Sequence, residues 1–390
     1  MSKIRYHTLD SLRGVAALQV VIAHSLVAVP LLSWLVFESD SEHSNGIIFM
    51  LNHSPFSILW ADSAAVKVFF VLSGFVLSLP YFQSEREAPY YPHYFIKRII
   101  RLYVPCLAIL ILSVFLRELL YNPNNISGFG AWVKMMWNIK MTPGMWMDLF
   151  TLRGHLDYFD RALWTLAPEI KLSLILPLAI YIHRKMNVAG SILLVLVYIG
   201  VWHALNKVDA RNYWSDFPTL YYFTFFLIGS IICKYREAVI NWVNNLNNIW
   251  YFLLIFATIV IYTFTHSMWW LPAKIYQPLR ARIDYVYAFS AIGLLLIVLS
   301  ERAKSFFSSK ILIFLGKISF SIYLIHIVVI AAMANILGKV LSPEATLAIA
   351  FILAFPLAVL FYNFVEVPSM KLANTIGGLI KKKKPLLQAI

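Results

Sequence analysis

The sequence predicts an all-α, polytopic membrane protein, a bundle of about ten transmembrane helices with both termini in the cytoplasm. Hydrophobic residues make up 60% of the 390 residues and charged residues 13%, where a soluble globular chain carries about 25% charge. Apolar runs long enough to cross a bilayer recur along the chain. Most of the Lys and Arg between these runs fall on one side of an alternating threading, which the positive-inside rule makes cytoplasmic. An even number of helices then returns both termini to that side. The net charge of +14 is accordingly read as orientation, not as a nucleic-acid footprint.

The apolar runs place helices at about 12–37, 58–83, 97–121, 163–183, 188–206, 218–234, 249–270, 284–301, 311–337 and 344–373. The first lacks a small-residue cleavage site and is read as a retained span. Residues 1–375 form one transmembrane domain, and 376–390 a basic cytoplasmic tail whose KKKK at 381–384 anchors topology and can touch anionic lipid. The first outer loop, Glu38 to Pro55, has acidic residues and no Lys or Arg. The stretch 122–162 reads as non-helical, and its Trp132, Trp137 and Trp146 fit either an aromatic belt or a substrate entrance. Cys106 and Cys233 sit in or beside apolar helices, which predicts neither a disulfide framework nor a metal site.

Ionisable groups inside such helices are costly and mark functional sites by default. In the first helix, Asp10 and Ser11 are candidate caps, and Arg13 and His24 are eleven residues apart. At about 100° per residue they share one face, separated by a rise of roughly 16 Å. Arg13 is expected near one interface and His24 near the midplane. Neutral imidazole can take a hydroxyl proton near neutral pH, so His24 is a candidate base. Arg98 and Arg101 share a face at the start of the third helix, where guanidinium forks suit phosphate. With Arg13 they are expected to form a cationic cluster at the inner mouth, and Glu366 is a candidate partner for it.

Glu169 follows Pro168 at the outer start of the fourth helix and reads as either a structural cap or a catalytic or substrate-binding carboxylate. Ser73 and Gly74 open a gap in the second helix for a neighbouring helix or a ligand. Lys67 in that helix needs a partner, Asp62 or an anionic ligand. Tyr323 and His326 are three apart on the ninth helix. Substrate binding and helix packing compete for Ser73, Lys67, Tyr323 and His326.

Taken together, LDSLRGVAALQVVIAH, FFVLSGFVLS, RIIRLYVP, LWTLAPEI and LGKISFSIYLIH, in that order, resemble the acyltransferase 3 family of integral membrane acyltransferases. Arg13 and His24 match its basic-residue-ten-histidine motif, and Arg98 and Arg101 its paired arginines. The resemblance implies transfer of an acyl group, commonly acetyl from acetyl-CoA, to a hydroxyl of an extracytoplasmic glycan or similar acceptor at the inner or plasma membrane. The helix geometry joined to that expectation makes His24 and Glu169 the candidate catalytic residues and Arg13, Arg98 and Arg101 the candidate donor-binding residues, with no metal expected. Membrane lipid is an expected partner, and a homo-oligomer is admitted. The fourth-helix motif departs from the family by continuing as IKLSLILPL, and the absence of a hydrolase-like domain suggests a stand-alone transferase. The competing class is a proton-coupled transporter or flippase with His24, Arg13 and Glu169 as its relay.

Overall fold

The protein is described by a computed structural model over residues 6–36, 46–82, 90–152, 154, 156–205 and 216–382. The described residues form helices and turns with no strand. The principal helices are α1 His7–Ala28, α2 Asp62–Phe82, α3 Tyr91–Leu120, α4 Leu163–His183, α5 Val188–Leu205, α6 Asp216–Lys234, α7 Asn248–Tyr262, α8 Ile283–Leu299, α9 Lys310–Leu337 and α10 Pro343–Phe361. A π-turn, Tyr362–Glu366, joins α10 to α11, Val367–Lys382. Every predicted helix has a counterpart. Six of them, α1, α2, α3, α4, α9 and the continuous α10–α11, are long and apolar enough to cross a membrane. Each of α7 and α8 qualifies together with a short preceding helix bent from it by 117° and 79°, while α5 and α6 are apolar but shorter.

The ends of α1 differ from the sequence expectation. It begins at His7 with no side-chain cap, so Asp10 lies in the first turn, where a carboxylate suits the helix dipole, and Ser11 is buried. It stops at Ala28, and a 3-10 turn over Leu32–Leu35 follows. Pro30 is the cause: it disfavours helical dihedrals at the preceding residue, and Val29 is extended at φ −94°, ψ 124°. His24 therefore sits four residues from the end of its helix, not in the middle. Likewise α7 ends at Tyr262, and the 122–162 stretch contains short helices at Ala131–Met135, Pro143–Thr151 and Leu156–Phe159. The KKKK run from residue 383 onward, most of the acidic outer loop and the segment around Arg86 lie outside the described residues.

The chain divides into two compact units, with boundaries inside α2, α3 and α10. The first comprises residues 1–72, 116–138 and 236–358. Its core is the pairing of α1 with α9. A Cβ on Gly14 would come within 2.6 Å of the Leu315 backbone, and one on Gly316 within 2.5 Å of the Asp10 carbonyl carbon. The helices touch backbone to backbone, which only glycine allows. Ten residues further along each helix, His24 meets His326, so α1 and α9 run parallel and in register. That is the direction a ten-crossing chain requires of its first and ninth helices.

The second unit comprises residues 73–115, 139–235 and 359–390. Here α2 approaches α6 at Gly74, where a Cβ would lie 2.7 Å from the Phe226 backbone. Ser78 Oγ donates to Ser230 Oγ at 2.7 Å, and Ser230 contacts His183 Nε2 at 2.8 Å, tying α2, α6 and α4 together. Helices α3 and α4 run antiparallel. Tyr91 and Tyr94 hydroxyls donate to the Leu174 and Ser173 carbonyls at 3.2 and 2.6 Å, and Arg98 meets Glu169 one turn on.

Candidate functional site

In the first unit the candidate site is built around His24. Its Nδ1 lies 2.8 Å from Nε2 of His326. The ring planes differ by 8° with centroids 5.1 Å apart. That separation is the N···N distance plus the two centroid-to-nitrogen radii, so the rings lie edge to edge in one plane. His326 is 1% exposed, and its Nδ1 donates to the Ile322 carbonyl one turn back at 3.1 Å. Tyr323 packs beside His326 at 5.8 Å and against Phe69 at 5.6 Å. On the other side, the Trp132 ring centroid is 5.2 Å from that of His24. His24 itself is half-buried.

Trp132 is delivered by a strapped loop. The Gly130 amide donates to the Ala28 carbonyl at 3.1 Å, closing the loop onto the end of α1. The Asn122 amide donates to Asn335 Oδ1 at 2.9 Å, and Asn125 Nδ2 to the Asn335 carbonyl at 2.6 Å, closing it onto the end of α9. Arg117 Nε donates to the Trp137 carbonyl at 3.2 Å. Trp137 is 0% exposed with φ +61°, so it belongs to the core and not to an aromatic belt.

Two cations of this unit differ in how they are held. Lys67 is buried and pairs with Asp284 at 2.6 Å, a partner from α8 in place of the expected Asp62. Nearby, Gln19 Nε2 donates to the Ile58 carbonyl at 2.6 Å and accepts from the Tyr262 hydroxyl at 2.7 Å. Arg13 is half-buried on α1 and has neither an ion pair nor a hydrogen bond to another described residue.

The second unit holds a separate polar cluster. Arg98 Nη2 lies 3.1 Å from Glu169 Oε1, and Ser73 Oγ donates to the same oxygen at 2.9 Å. Glu169 is the seventh residue of α4, beyond the first turn, so it is not a cap; its charge is met by α3 and its second contact by α2. Asp160, three residues before the start of α4, is fully buried, and its Oδ1 accepts from the Ala162 amide at 3.0 Å. Burial pushes the Asp160 carboxyl well above the usual carboxylate range. Arg101 is exposed, and Glu366 is buried in the π-turn. Of the nine residues expected at the site, His24, His326 and Tyr323 come together in one unit, and Ser73, Arg98 and Glu169 in the other. Trp132, Asp284, Asn335 and Asp160 were not singled out as site residues by the sequence, because each acts through a partner remote in the chain. Among the described residues, no group of three or more His, Cys, Asp or Glu could hold a metal ion.

Comparison with known proteins gives this geometry a context. Nodulation protein 10 of Rhizobium leguminosarum bv. viciae is 24% identical over 255 residues, which cover 60% of this chain and 63% of that protein. The match thus spans less than two thirds of that relative's length. No solved structure matches the chain. The sequence model of the acyltransferase 3 family, described as an acyltransferase domain, matches residues 6–363, a span that includes both polar clusters and all ten apolar helices. On that coverage, the chain belongs to the acyltransferase 3 family, and its apolar helices are those of a multi-pass membrane protein.

Proposed function

We propose that the protein is an O-acyltransferase of the inner or plasma membrane, moving an acetyl group from cytosolic acetyl-CoA to a hydroxyl of an extracytoplasmic glycan. His24 is the general base. The observation that carries this reading is the in-plane hydrogen bond from α1 to His326, which holds the imidazole of the family's histidine in one orientation. His24 removes the acceptor hydroxyl proton as the oxygen attacks the thioester carbonyl. The C–O bond forms, the C–S bond breaks, and the departing thiolate takes the proton back from the imidazolium.

Donor phosphates call for cations. Arg13 supports that role because it is half-buried and pairs with no anion among the described residues. Arg101 is exposed and carries the guanidinium that this chemistry needs, and Arg98 is paired with Glu169. Glu169 is therefore read as positioning Arg98 and not as a second acid or base. Lys67, held by Asp284, is read as structural.

The test is the O-acyl content of surface glycans, by NMR or mass spectrometry, in a deletion strain complemented with wild type or with His24→Ala. Esters should vanish on deletion and return only with wild type. An active, membrane-inserted His24→Ala protein would sink the role of His24. Glycans unchanged by deletion would remove the glycan acceptor.

A further inference from the structure

We propose that His326 is a positioning residue that sets the tautomer of His24 and thereby makes Nε2 the reacting nitrogen. This rests on the reading of His24 as the base. The hydrogens along a chain of three groups decide the tautomer. The Ile322 carbonyl has no hydrogen to give, so its 3.1 Å contact with His326 Nδ1 requires the proton to be on that nitrogen. A neutral imidazole carries one ring N–H, which leaves His326 Nε2 with a lone pair. The 2.8 Å contact between rings then requires His24 Nδ1–H to donate. The single ring hydrogen of neutral His24 is thus on Nδ1, and its lone pair is on Nε2.

The ring geometry agrees independently. A nitrogen lone pair lies in the plane of its ring, and an N–H···N bond needs both rings in that plane. An interplanar angle of 8° with edge-to-edge approach meets the requirement. The opposite arrangement, with His326 protonated on Nε2, would present a hydrogen to the Ile322 carbonyl from no nitrogen at all. His326 touches no carboxylate among the described residues, so no anion at that ring favours its charged form.

The arrangement resembles the orienting function of the third member of a catalytic triad, carried out by a neutral acceptor in place of a carboxylate. During transfer, the acceptor O–H bond breaks and an N–H bond forms at His24 Nε2. The imidazolium still donates Nδ1–H to His326, now as a charge-assisted bond, so nothing has to rotate. The proton then leaves from Nε2 to the thiolate, and His326 remains neutral throughout.

The experiment is 15N NMR of histidine-labelled full-length protein in lipid nanodiscs, with His24 assigned by difference from His24→Asn. The expected spectrum shows Nδ1 of His24 protonated and Nε2 as a bare, pyridine-type nitrogen. That is the tautomer less favoured by free histidine in water, so a merely packed histidine would not show it. In His326→Leu, the His24 signal should switch to the Nε2-protonated form and kcat should fall by about 100-fold or more, with the KM for acyl-CoA unchanged. His326→Gln still offers a carbonyl oxygen to His24 Nδ1–H, and should restore the tautomer and most of kcat. A wild-type spectrum with His24 protonated on Nε2 overturns the proposal without reference to any variant. Equal tautomers and equal kcat in His326→Leu and His326→Gln overturn it too. The spectrum does not depend on activity: a silent enzyme with the expected tautomer would count against His24 as the base while leaving His326 as the residue that sets its tautomer.

Discussion

The two polar clusters of this protein solve the same problem in opposite ways. Both place ionisable side chains inside apolar helices. In the second unit, Arg98 and Glu169 neutralise one another and Ser73 completes the contact. In the first, the His24 and His326 rings are joined by one in-plane hydrogen bond. A closed ion pair keeps each charge at low energy but commits it, because removing either partner strands the other. An imidazole pair that is neutral, as proposed for His24 and His326, costs less to bury than a charge and keeps a nitrogen lone pair for a proton. The ion pair is thus suited to holding helices and aiming a guanidinium, and the imidazole pair to moving a proton.

That contrast can be broken most decisively at the ion pair. Glu169→Ala leaves the half-buried Arg98 without its carboxylate and should destabilise the protein by up to about 3 kcal/mol, the lower end of the range for a buried pair cut on one side. Replacing both residues by apolar ones of similar size should restore much of that stability, measured by thermal unfolding in detergent. If the double variant is as unstable as the single one, the cluster does more than neutralise charge. His326→Leu, by contrast, should change stability far less than it changes kcat. A comparable loss in both would erase the distinction between the clusters.

The next effect concerns what brings the histidines together. Gly14→Leu would force α1 away from α9 at Leu315 and Gly316, and overpacking of that kind costs about 1–3 kcal/mol. Acyl transfer should fall further than stability, because His24 is carried on the displaced helix. Gly74→Leu, which pushes α2 against Phe226 in the other unit, should cost similar stability and serves as the control.

Arg101→Ala is expected to be nearly neutral for stability, since the residue is exposed, and to raise the KM for acyl-CoA with kcat preserved. An unchanged dependence on acyl-CoA concentration would remove Arg101 from the donor site. The smallest effect is expected at Asp160. A carboxyl whose folded-state pKa is raised binds its proton more tightly folded than unfolded, so its contribution falls as pH rises from the unfolded carboxylate value toward the folded one. Asp160→Asn keeps the acceptor for the Ala162 amide. It should leave stability at acidic pH unchanged, raise it modestly at neutral pH and flatten the profile between.

The helices were legible in the chain because each is a local statement: an apolar run of sufficient length, bounded by charge, forms a helix whatever lies beside it. The family was legible for a related reason, since RIIRLYVP or LWTLAPEI can be read without knowing its neighbours. The C-terminal end of the first helix is hidden from hydropathy, which continues past Val29 while the helical backbone does not, Pro30 being a two-residue effect inside an apolar run. The spacing of Arg13 and His24 placed them on one face, and the sequence could single out His326 and Glu169 as groups needing an explanation.

What the sequence could not supply was partners. His24 and His326 are 302 residues apart, and Arg98 and Glu169 are 71 apart. Nothing in either local pattern says which helix faces which, or at what register. Tertiary packing decided that through Gly14 and Gly316, whose missing side chains let α1 and α9 meet at the backbone and so bring the two rings into one plane ten residues further on. The sequence by itself determined that ionisable groups are buried here. Only the packed helices determined which of them are neutralised by a charge and which keep a lone pair for chemistry, because that depends on what stands within about 3 Å of each nitrogen and oxygen.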